Sequence, residues 1–147
     1  MICIIFARND VMLYKMNSSN FTQAIKFKQT FIMADTEIEK AKILIVVEIV
    51  EYVPNSVVIK TIVKKTTGNV SAVSFDSGES LIGRISPCDV FIQVIEGKAE
   101  IIIEEKPYLL LTGQSIIIPA NSRNTIRANE RFKMLSTYIK NAYEEEC

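Results

Sequence analysis

Residues 78–97 have the sequence GESLIGRISPCDVFIQVIEG, and residues 113–124 have the sequence GQSIIIPANSRN. In both stretches, runs of apolar and β-branched residues are bounded by Gly, Pro, Asn and Asp, which is typical of short strands joined by tight turns. Gly78 and Gly97 bound the first stretch, and Gly113 begins the second. The centre of the chain is therefore predicted to be β-sheet.

The same pattern continues on both sides of these stretches. From about residue 43 onward, short runs of Val, Ile, Phe, Tyr and Thr follow one another with almost no helical periodicity. Strands this short and this regularly spaced usually close into a barrel or sandwich, because closure removes exposed sheet edges. We predict an all-β barrel with strands at 57–63, 70–75, 90–95, 99–103, 108–111, 115–118, 124–127 and 132–139.

The N-terminal part of the chain lacks this alternation. We expect residues 1–34 to be a poorly ordered extension and residues 35–147 to form one barrel domain. The apolar run Ile2–Ala7 is too short for a secretory signal, and no segment reaches the roughly 18 apolar residues of a membrane span. Residues 35–42 are compatible with one or two helical turns. Residues 43–50 are more typical of an extra strand that covers a sheet face or a partner subunit.

Charge and cysteine content exclude several classes of function. Seventeen basic and 17 acidic residues cancel in a chain of 147, and no segment concentrates the basic ones, so a nucleic-acid partner is not expected. Cys3, Cys88 and Cys147 are odd in number and have no CxxC spacing, which argues against a disulfide framework and favours a cytoplasmic location. We also expect no membrane association.

The two quoted stretches resemble the two motifs of the cupin superfamily, and in particular its small single-domain cupin 2 barrels. The first motif is a glycine, five residues, His-x-His, three or four residues, Glu, six residues and a second glycine, a frame that Gly78 to Gly97 fits. The second is Gly, five residues, Pro-x-Gly, two residues and His, which Gly113, Pro119 and Asn121 fit with one replacement. With its flanking segments the resemblance covers about residues 49–140, and it implies a jelly-roll barrel, or double-stranded β-helix.

The resemblance also places the metal ligands of the family, and none of them is kept. The two histidines of the first motif fall on Arg84 and Ser86, its glutamate on Val90, and the histidine of the second motif on Asn124. A cupin metal site needs imidazoles and a carboxylate around one transition-metal ion. Because the guanidinium of Arg84 stays protonated, it would repel a cation. We therefore expect no metal and no other cofactor.

Catalytic candidates are few as well. The chain contains no histidine, the commonest general base at neutral pH, and metal-free cupin epimerases rely on one, as the resemblance implies. We assign no catalytic residue. Cys88 has no neighbouring base in the sequence that would lower its pKa, so an inert thiol is the simpler interpretation.

The candidate ligand-binding residues are Arg84, Ser86, Asn124 and Gln93. A guanidinium at the mouth of a small barrel is suited to hold a carboxylate or phosphate with two parallel hydrogen bonds. The plainer alternative is that Arg84 points to solvent or pairs with Glu79 or Asp89 on the surface. Ser86 and Asn124 would then serve only in turns and at strand ends. Gln93 would either line the barrel or hydrogen-bond across a dimer contact.

The hypothesis from the sequence is a non-catalytic or vestigial cupin that binds a small polar or anionic ligand, or acts as a dimeric interaction module. The alternative is a metal-independent isomerase or lyase acting on a small sugar or organic acid. In that case Arg84 would hold the anion, and Tyr108 or Glu79 would transfer the proton. Because apolar runs such as residues 43–50 exceed what one small barrel needs to bury, we expect a homodimer.

Overall fold

The structure is a computed structural model that describes residues 2–7, 10–15, 25–34 and 36–140, with side chains from residue 30 onward. These residues form strands and one short 3-10 helix at Val46–Glu48. The strands are β1 (Ile2–Ala7), β2 (Asp10–Lys15), β3 (Ile25–Ala34), β4 (Ser56–Lys65), β5 (Gly68–Phe75), β6 (Ser80–Arg84), β7 (Val90–Glu96), β8 (Lys98–Ile103), β9 (Lys106–Leu111), β10 (Ser115–Ile118), β11 (Asn124–Arg127) and β12 (Phe132–Ile139).

The strands form two sheets with a shared apolar core, which confirms the all-β jelly-roll barrel. The larger sheet has the order β1-β2-β3-β4-β5-β12-β7-β10, and the smaller has the order β6-β11-β8-β9. The last strand, β12, lies between β5 and β7 and is antiparallel to both. Within the described residues, no helix is long and apolar enough to cross a membrane.

The eight strands predicted from the sequence are all present. Three have the predicted bounds, and the others extend by one to three residues. The sequence analysis missed β6, which lies inside the first motif. Its pairing with β11 is interrupted by a bulge, since Leu81 pairs with Ile126 while Arg84 pairs with Asn124. A bulge breaks the alternation of apolar and polar residues by which strands are recognised.

The N-terminal strands extend the larger sheet. β1, β2 and β3 follow one another as antiparallel neighbours, and β3 then runs parallel to β4, with Thr30 opposite Ser56. The division of the chain at residue 34 into a poorly ordered extension and a barrel domain stays a prediction. In the structure, the stretch before that point contributes strands to the edge of the sheet.

Two expectations for residues 36–50 were wrong. No helix forms at 36–42, where Ala41 instead adopts a positive φ of 59° in a turn. The predicted strand at 43–50 is also absent, and the backbone forms the 3-10 turn at Val46–Glu48. Ile43 is fully exposed, while Val50 is buried. Apolar composition alone favoured a strand here, but no neighbouring strand pairs with this segment.

The core lies between the two sheets and is built from the inward side chains of both. Phe75 on β5 and Phe132 on β12 are directly opposite each other, and both are completely buried. Their rings stack with centroids 4.5 Å apart and planes 12° apart. This stacked pair fixes the register of β12 against β5 at the end of the sheet away from Tyr138.

A segment before β4, residues 47–55, is fastened over the larger sheet by polar contacts. The buried Nζ of Lys133 donates to the carbonyl of Val47 at 2.8 Å, and the same ammonium lies 4.7 Å from the centre of the Tyr52 ring. The hydroxyl of Tyr52 donates to Glu96. Burial and then this bond to a carboxylate raise the pKa of Tyr52. Lys133 and Glu96, from two different strands, therefore hold this segment in place.

Asp76 completes this fastening. One of its carboxylate oxygens accepts from Nε of Arg131 at 2.6 Å, and the other accepts from the backbone N–H of Asn55 at 2.7 Å. The bond from Arg131, followed by the bond from Asn55, lowers the pKa of Asp76 below its ordinary value. The charged form of Asp76 is therefore the one that the fold stabilises.

Gly97 connects the two sheets at the turn between β7 and β8, and only glycine fits there. Its φ is +84°, and a Cβ at this position would lie 2.5 Å from the carbonyl oxygen of Arg131. Gly113 has nearly the same φ, +86°, but a Cβ there would meet nothing within 4 Å. A substitution at Gly113 would therefore introduce only backbone strain, whereas one at Gly97 would add a steric clash.

We expect Gly113→Ala to cost about 1–2 kcal/mol of unfolding free energy, because an L-residue is disfavoured at positive φ. Gly97→Ala should cost a further ~1–3 kcal/mol, since its methyl group also collides with the backbone. Urea unfolding of both variants measures the difference. Equal losses would contradict the close approach of Arg131 to Gly97.

We expect acid to weaken the Asp76 contacts. Because the pKa of Asp76 is lower in the folded than in the unfolded chain, its contribution is complete above the unfolded value of about 3.9 and is lost as the pH falls through the folded value. The Asp76→Asn variant lacks this contribution at every pH. Urea midpoints measured between pH 7 and pH 2.5 should therefore converge for wild type and variant, and a constant gap would contradict this assignment.

Candidate functional site

A cavity of about 390 Å³ opens at one end of the barrel, between the two sheets. This volume falls within the range of small-molecule sites in proteins. Strands β3, β4, β5, β6, β7, β10, β11 and β12 contribute to its lining, as does the loop of residues 85–89 that joins β6 to β7. The site therefore draws on both motifs and on strands that precede and follow them.

The four positions at which the family carries metal ligands all line this cavity. Arg84 ends β6 and Asn124 begins β11, where the two residues are directly paired. Val90 begins β7, and Ser86 lies in the loop before it. The threading of the motifs onto this sequence thus places the four side chains around one space.

A bulge in β6 brings Arg84 into the lining. Leu81 and Arg84 are three residues apart, so in a regular strand they would point to opposite faces of the sheet. The pairing of β6 with β11 shifts by one residue between them, next to Gly83, whose φ is +64°. Because of this shift, both side chains face the cavity.

Local hydrogen bonds fix the rim of the cavity. The side chain of Asn124 is buried, and its Nδ2 donates to the carbonyl oxygen of Arg84 at 3.0 Å. The hydroxyl of Ser86 accepts from the backbone N–H of Cys88 at 3.1 Å, and the carbonyl of Ser86 accepts from the N–H of Asn121 at 2.7 Å. These bonds hold both segments beside the mouth.

Arg84 does not have the partners that the plainer interpretation gave it. Its side chain is exposed and makes no ion pair within the described residues. Asp89, one expected partner, instead accepts from the backbone N–H of Ala120 at 2.8 Å. The guanidinium therefore lines the cavity with its hydrogen-bond donors available to a ligand.

The charge of the lining favours an anion. Its two charged side chains are Lys64 and Arg84, and no carboxylate lines the cavity among the described residues. Lys64 belongs to β4 in the larger sheet, whereas Arg84 belongs to β6 in the smaller one. Arg84, which makes no ion pair within the described residues, thus brings positive charge to the site, and this raises the local concentration of anions.

The sequence analysis missed a polar wall on the larger sheet. Thr61, Ser71 and Ser136 line the cavity from the adjacent strands β4, β5 and β12, and beside them Asn69 and Tyr138 form part of the same wall. These residues carry no motif, and only the pairing of the strands shows that they share a face.

Gln93 does not share the cavity with the other three candidates. On β7 its neighbours Ile92 and Val94 are buried toward the core, and Ile92 lines the cavity. Successive side chains of a strand alternate, so Gln93 belongs to the opposite face. There it lies opposite Ser115 on β10 and Leu135 on β12.

The donor set at the four ligand positions does not fit a transition-metal ion. A guanidinium, a hydroxyl, an aliphatic chain and an amide replace the imidazoles and carboxylate that such ions require. The amide of Asn124 is engaged with the backbone of Arg84. Within the described residues, no group of three or more His, Cys, Asp or Glu side chains is arranged to hold a metal.

Cys88 is disulfide-bonded, which contradicts the inert thiol expected from the sequence. It is 3% exposed and lies in the loop beside Ser86. A cytoplasmic location was predicted because no disulfide framework was expected. The location stays a prediction, and the cysteines no longer support it.

Several solved structures are similar to this chain. A conserved protein of unknown function from Streptococcus pyogenes is 30% identical, with a TM-score of 0.67 over 71% of this chain and 91% of its own. A cupin 2 conserved barrel domain protein from Leptotrichia buccalis is 33% identical, with a TM-score of 0.62 over 64% of this chain and 46% of its own. A cupin superfamily protein from Desulfitobacterium hafniense is 22% identical, with a TM-score of 0.67 over 71% of this chain and 95% of its own, and shows the same fold. No protein-family model and no curated protein matches the chain.

Restoring imidazoles at the ligand positions tests whether the four side chains converge. We expect the triple variant Arg84→His, Ser86→His and Asn124→His to bind about one equivalent of Zn²⁺, because three imidazoles around one space form a zinc site. Wild-type protein purified without a histidine tag should hold well under one equivalent. Elemental analysis of both proteins measures the metal content.

A matched control separates a built site from the mere presence of histidines. Arg127→His, Thr112→His and Asn129→His introduce the same number of imidazoles at exposed positions outside the cavity lining. This control should not retain zinc after dialysis. Equal retention by both variants, or none by the first, would contradict the convergence of Arg84, Ser86 and Asn124.

Proposed function

The chain belongs to the cupin superfamily, and from that premise we propose that it is a non-catalytic member that binds a small anionic ligand in its barrel. The observation that carries this proposal is the cavity of about 390 Å³ in which Arg84 takes the place of a metal ligand and has no ion-pair partner among the described residues. A guanidinium in that place supplies the positive charge that a metal ion supplies in other cupins.

The surroundings of Arg84 support this role. A carboxylate or phosphate that accepts two N–H bonds from a guanidinium gains more than it would from an isolated ammonium, since the fork geometry matches. The backbone next to the guanidinium is held by Asn124, which reduces the freedom lost on binding.

The enzymatic alternative, a metal-independent isomerase or lyase, needs a proton-transfer group beside the ligand. Tyr108 and Glu79, the groups considered for that step, are not part of the cavity lining. The chain contains no histidine, and no carboxylate is among the described lining residues. An enzyme of this class would have to work through Tyr138 or Lys64, so we place it second.

Homodimer formation is a separate proposal. Residues 43–46 are four consecutive apolar side chains, all of them exposed, with Ile43 exposed completely. Leu109 and Leu111 on the edge strand β9 are exposed as well. Apolar surface of this kind is more often covered in oligomers than left in water. Sedimentation velocity across a concentration series measures the state directly, and a monomer at every concentration would contradict it.

We expect Arg84→Gln to weaken anion binding by about 10- to 100-fold, which corresponds to the loss of a charge-assisted hydrogen-bonded pair. The probes are cyclohexanecarboxylate and inorganic phosphate, and isothermal titration measures their dissociation constants. Binding should also weaken as the salt concentration rises, because the attraction is electrostatic.

Arg127→Gln is the matched control. Arg127 is exposed on β11, in the same small sheet as Arg84, but it does not line the cavity. Its substitution changes the net charge by the same amount and should leave binding within about twofold of wild type. The proposal is wrong if wild type binds neither probe, or if the two variants bind equally well.

A further inference from the structure

The polar wall of the cavity is organised in rows that run across three neighbouring strands. The register places Thr61 of β4 opposite Ser71 of β5, and Ser71 opposite Ser136 of β12. All three side chains line the cavity. They therefore form one continuous row of hydroxyls across the larger sheet, which we call the hydroxyl row.

The rows on either side of the hydroxyl row differ in chemistry. Toward the floor of the cavity, Ile59, Val73 and Met134 form an apolar row on the same three strands. Toward the mouth, Lys64 lies opposite Asn69, which lies opposite Tyr138. Polarity thus increases from floor to mouth, and the hydroxyl row occupies the middle level.

The hydroxyls of this row make few hydrogen bonds within the described part of the protein. Within the described residues, neither the hydroxyl of Thr61 nor that of Ser136 makes a hydrogen bond, and that of Ser71 makes one long bond of 3.4 Å to Asn69. Thr61 and Ser71 are nevertheless buried, at 6% and 5% exposure. Among the described residues, no fully enclosed side-chain oxygen or nitrogen lacks a hydrogen-bond partner, so the unpaired hydroxyls of this row are open to the cavity and present donors and acceptors to whatever fills it.

Beside Arg84 and Asn124, the smaller sheet presents aliphatic side chains to the cavity. Leu81 and Ile126 line the cavity from the smaller sheet. On the larger sheet, Ser136 at the end of the hydroxyl row lies opposite Ile92 of β7, which also lines the cavity. A hydroxyl both donates and accepts, so a ligand hydroxyl can pair with it in either role. A ligand that satisfies both walls carries hydroxyls on one side and a hydrocarbon surface on the other.

We infer that the ligand is a polyhydroxylated carboxylate or phosphate of ring form, with its anionic group on Arg84 and its hydroxyls on Thr61, Ser71 and Ser136. This inference rests on the proposed anion-binding function and adds the chemical class of the ligand to it. The ring C–H surface lies against Leu81, Ile92 and Ile126, and the anion points to the mouth.

The test compares two carboxylates that share one carbon skeleton. Quinate and cyclohexanecarboxylate have the same ring and the same charge, but quinate carries four ring hydroxyls. Wild type should bind quinate at least about tenfold more tightly, because its ring hydroxyls form hydrogen bonds with Thr61, Ser71 and Ser136. Isothermal titration of both compounds measures the ratio.

Variants assign the ratio to the hydroxyl row. Thr61→Val removes one hydroxyl of the row with almost no change of shape, and Thr137→Val makes the same change on the outer face of β12. We expect Thr61→Val to weaken quinate binding by about three- to tenfold while cyclohexanecarboxylate binding is retained or improved. Thr137→Val should change neither. Retained binding of the second compound also shows that the variant is folded.

Each outcome decides a different claim. If cyclohexanecarboxylate binds through Arg84 and quinate binds no better, the inference about the hydroxyl row is wrong and anion binding stands. If Thr61→Val and Thr137→Val lower quinate binding equally, the row does not hold the ligand. If wild type binds neither compound, the proposed function and this inference fail together.

Discussion

The pairing of β12 on both of its edges is the constraint from which the site follows. β12 matches β5 residue by residue, from Phe132 opposite Phe75 to Ile139 opposite Gly68, and its other edge pairs with β7. Because strand side chains alternate, this double register decides which residues face inward. A slip of one residue would separate the stacked phenylalanine rings and turn Ser136 outward. The core contact and the cavity lining are therefore set together.

Much of the fold could be predicted from local sequence, because turns are marked by a few residue types. Ser115–Ile118 and Asn124–Arg127 were predicted with their observed bounds, since glycine, proline and asparagine separate them from their neighbours. Ser80–Arg84 was missed because it is bulged, and residues 43–50 were wrongly predicted as a strand. A strand requires a partner as well as suitable residues, and the partner is not visible in the local sequence.

The candidate site, too, could be predicted only in part from the local sequence. Arg84, Ser86 and Asn124 could be identified because the spacing of the motifs fixes the turns that position them. The polar wall could not. Thr61 and Lys64 are three residues apart on β4 and share a face only because the pairing with β5 shifts between Thr61 and Val63. Irregularities of this kind depend on both strands of a pair, so no periodicity in one strand reveals them.

The loop at the mouth has a consequence for the rate at which ligands exchange. Ser86 and Asp89 in this loop are tied by hydrogen bonds to the turn that contains Ala120 and Asn121. Because this loop is already held in place, it does not have to close over an incoming ligand. Little ordering entropy is then lost on association, and the opening admits molecules by size rather than by rearrangement. Such an entrance favours rapid exchange of the ligand with the surrounding solution over a long residence time in the cavity.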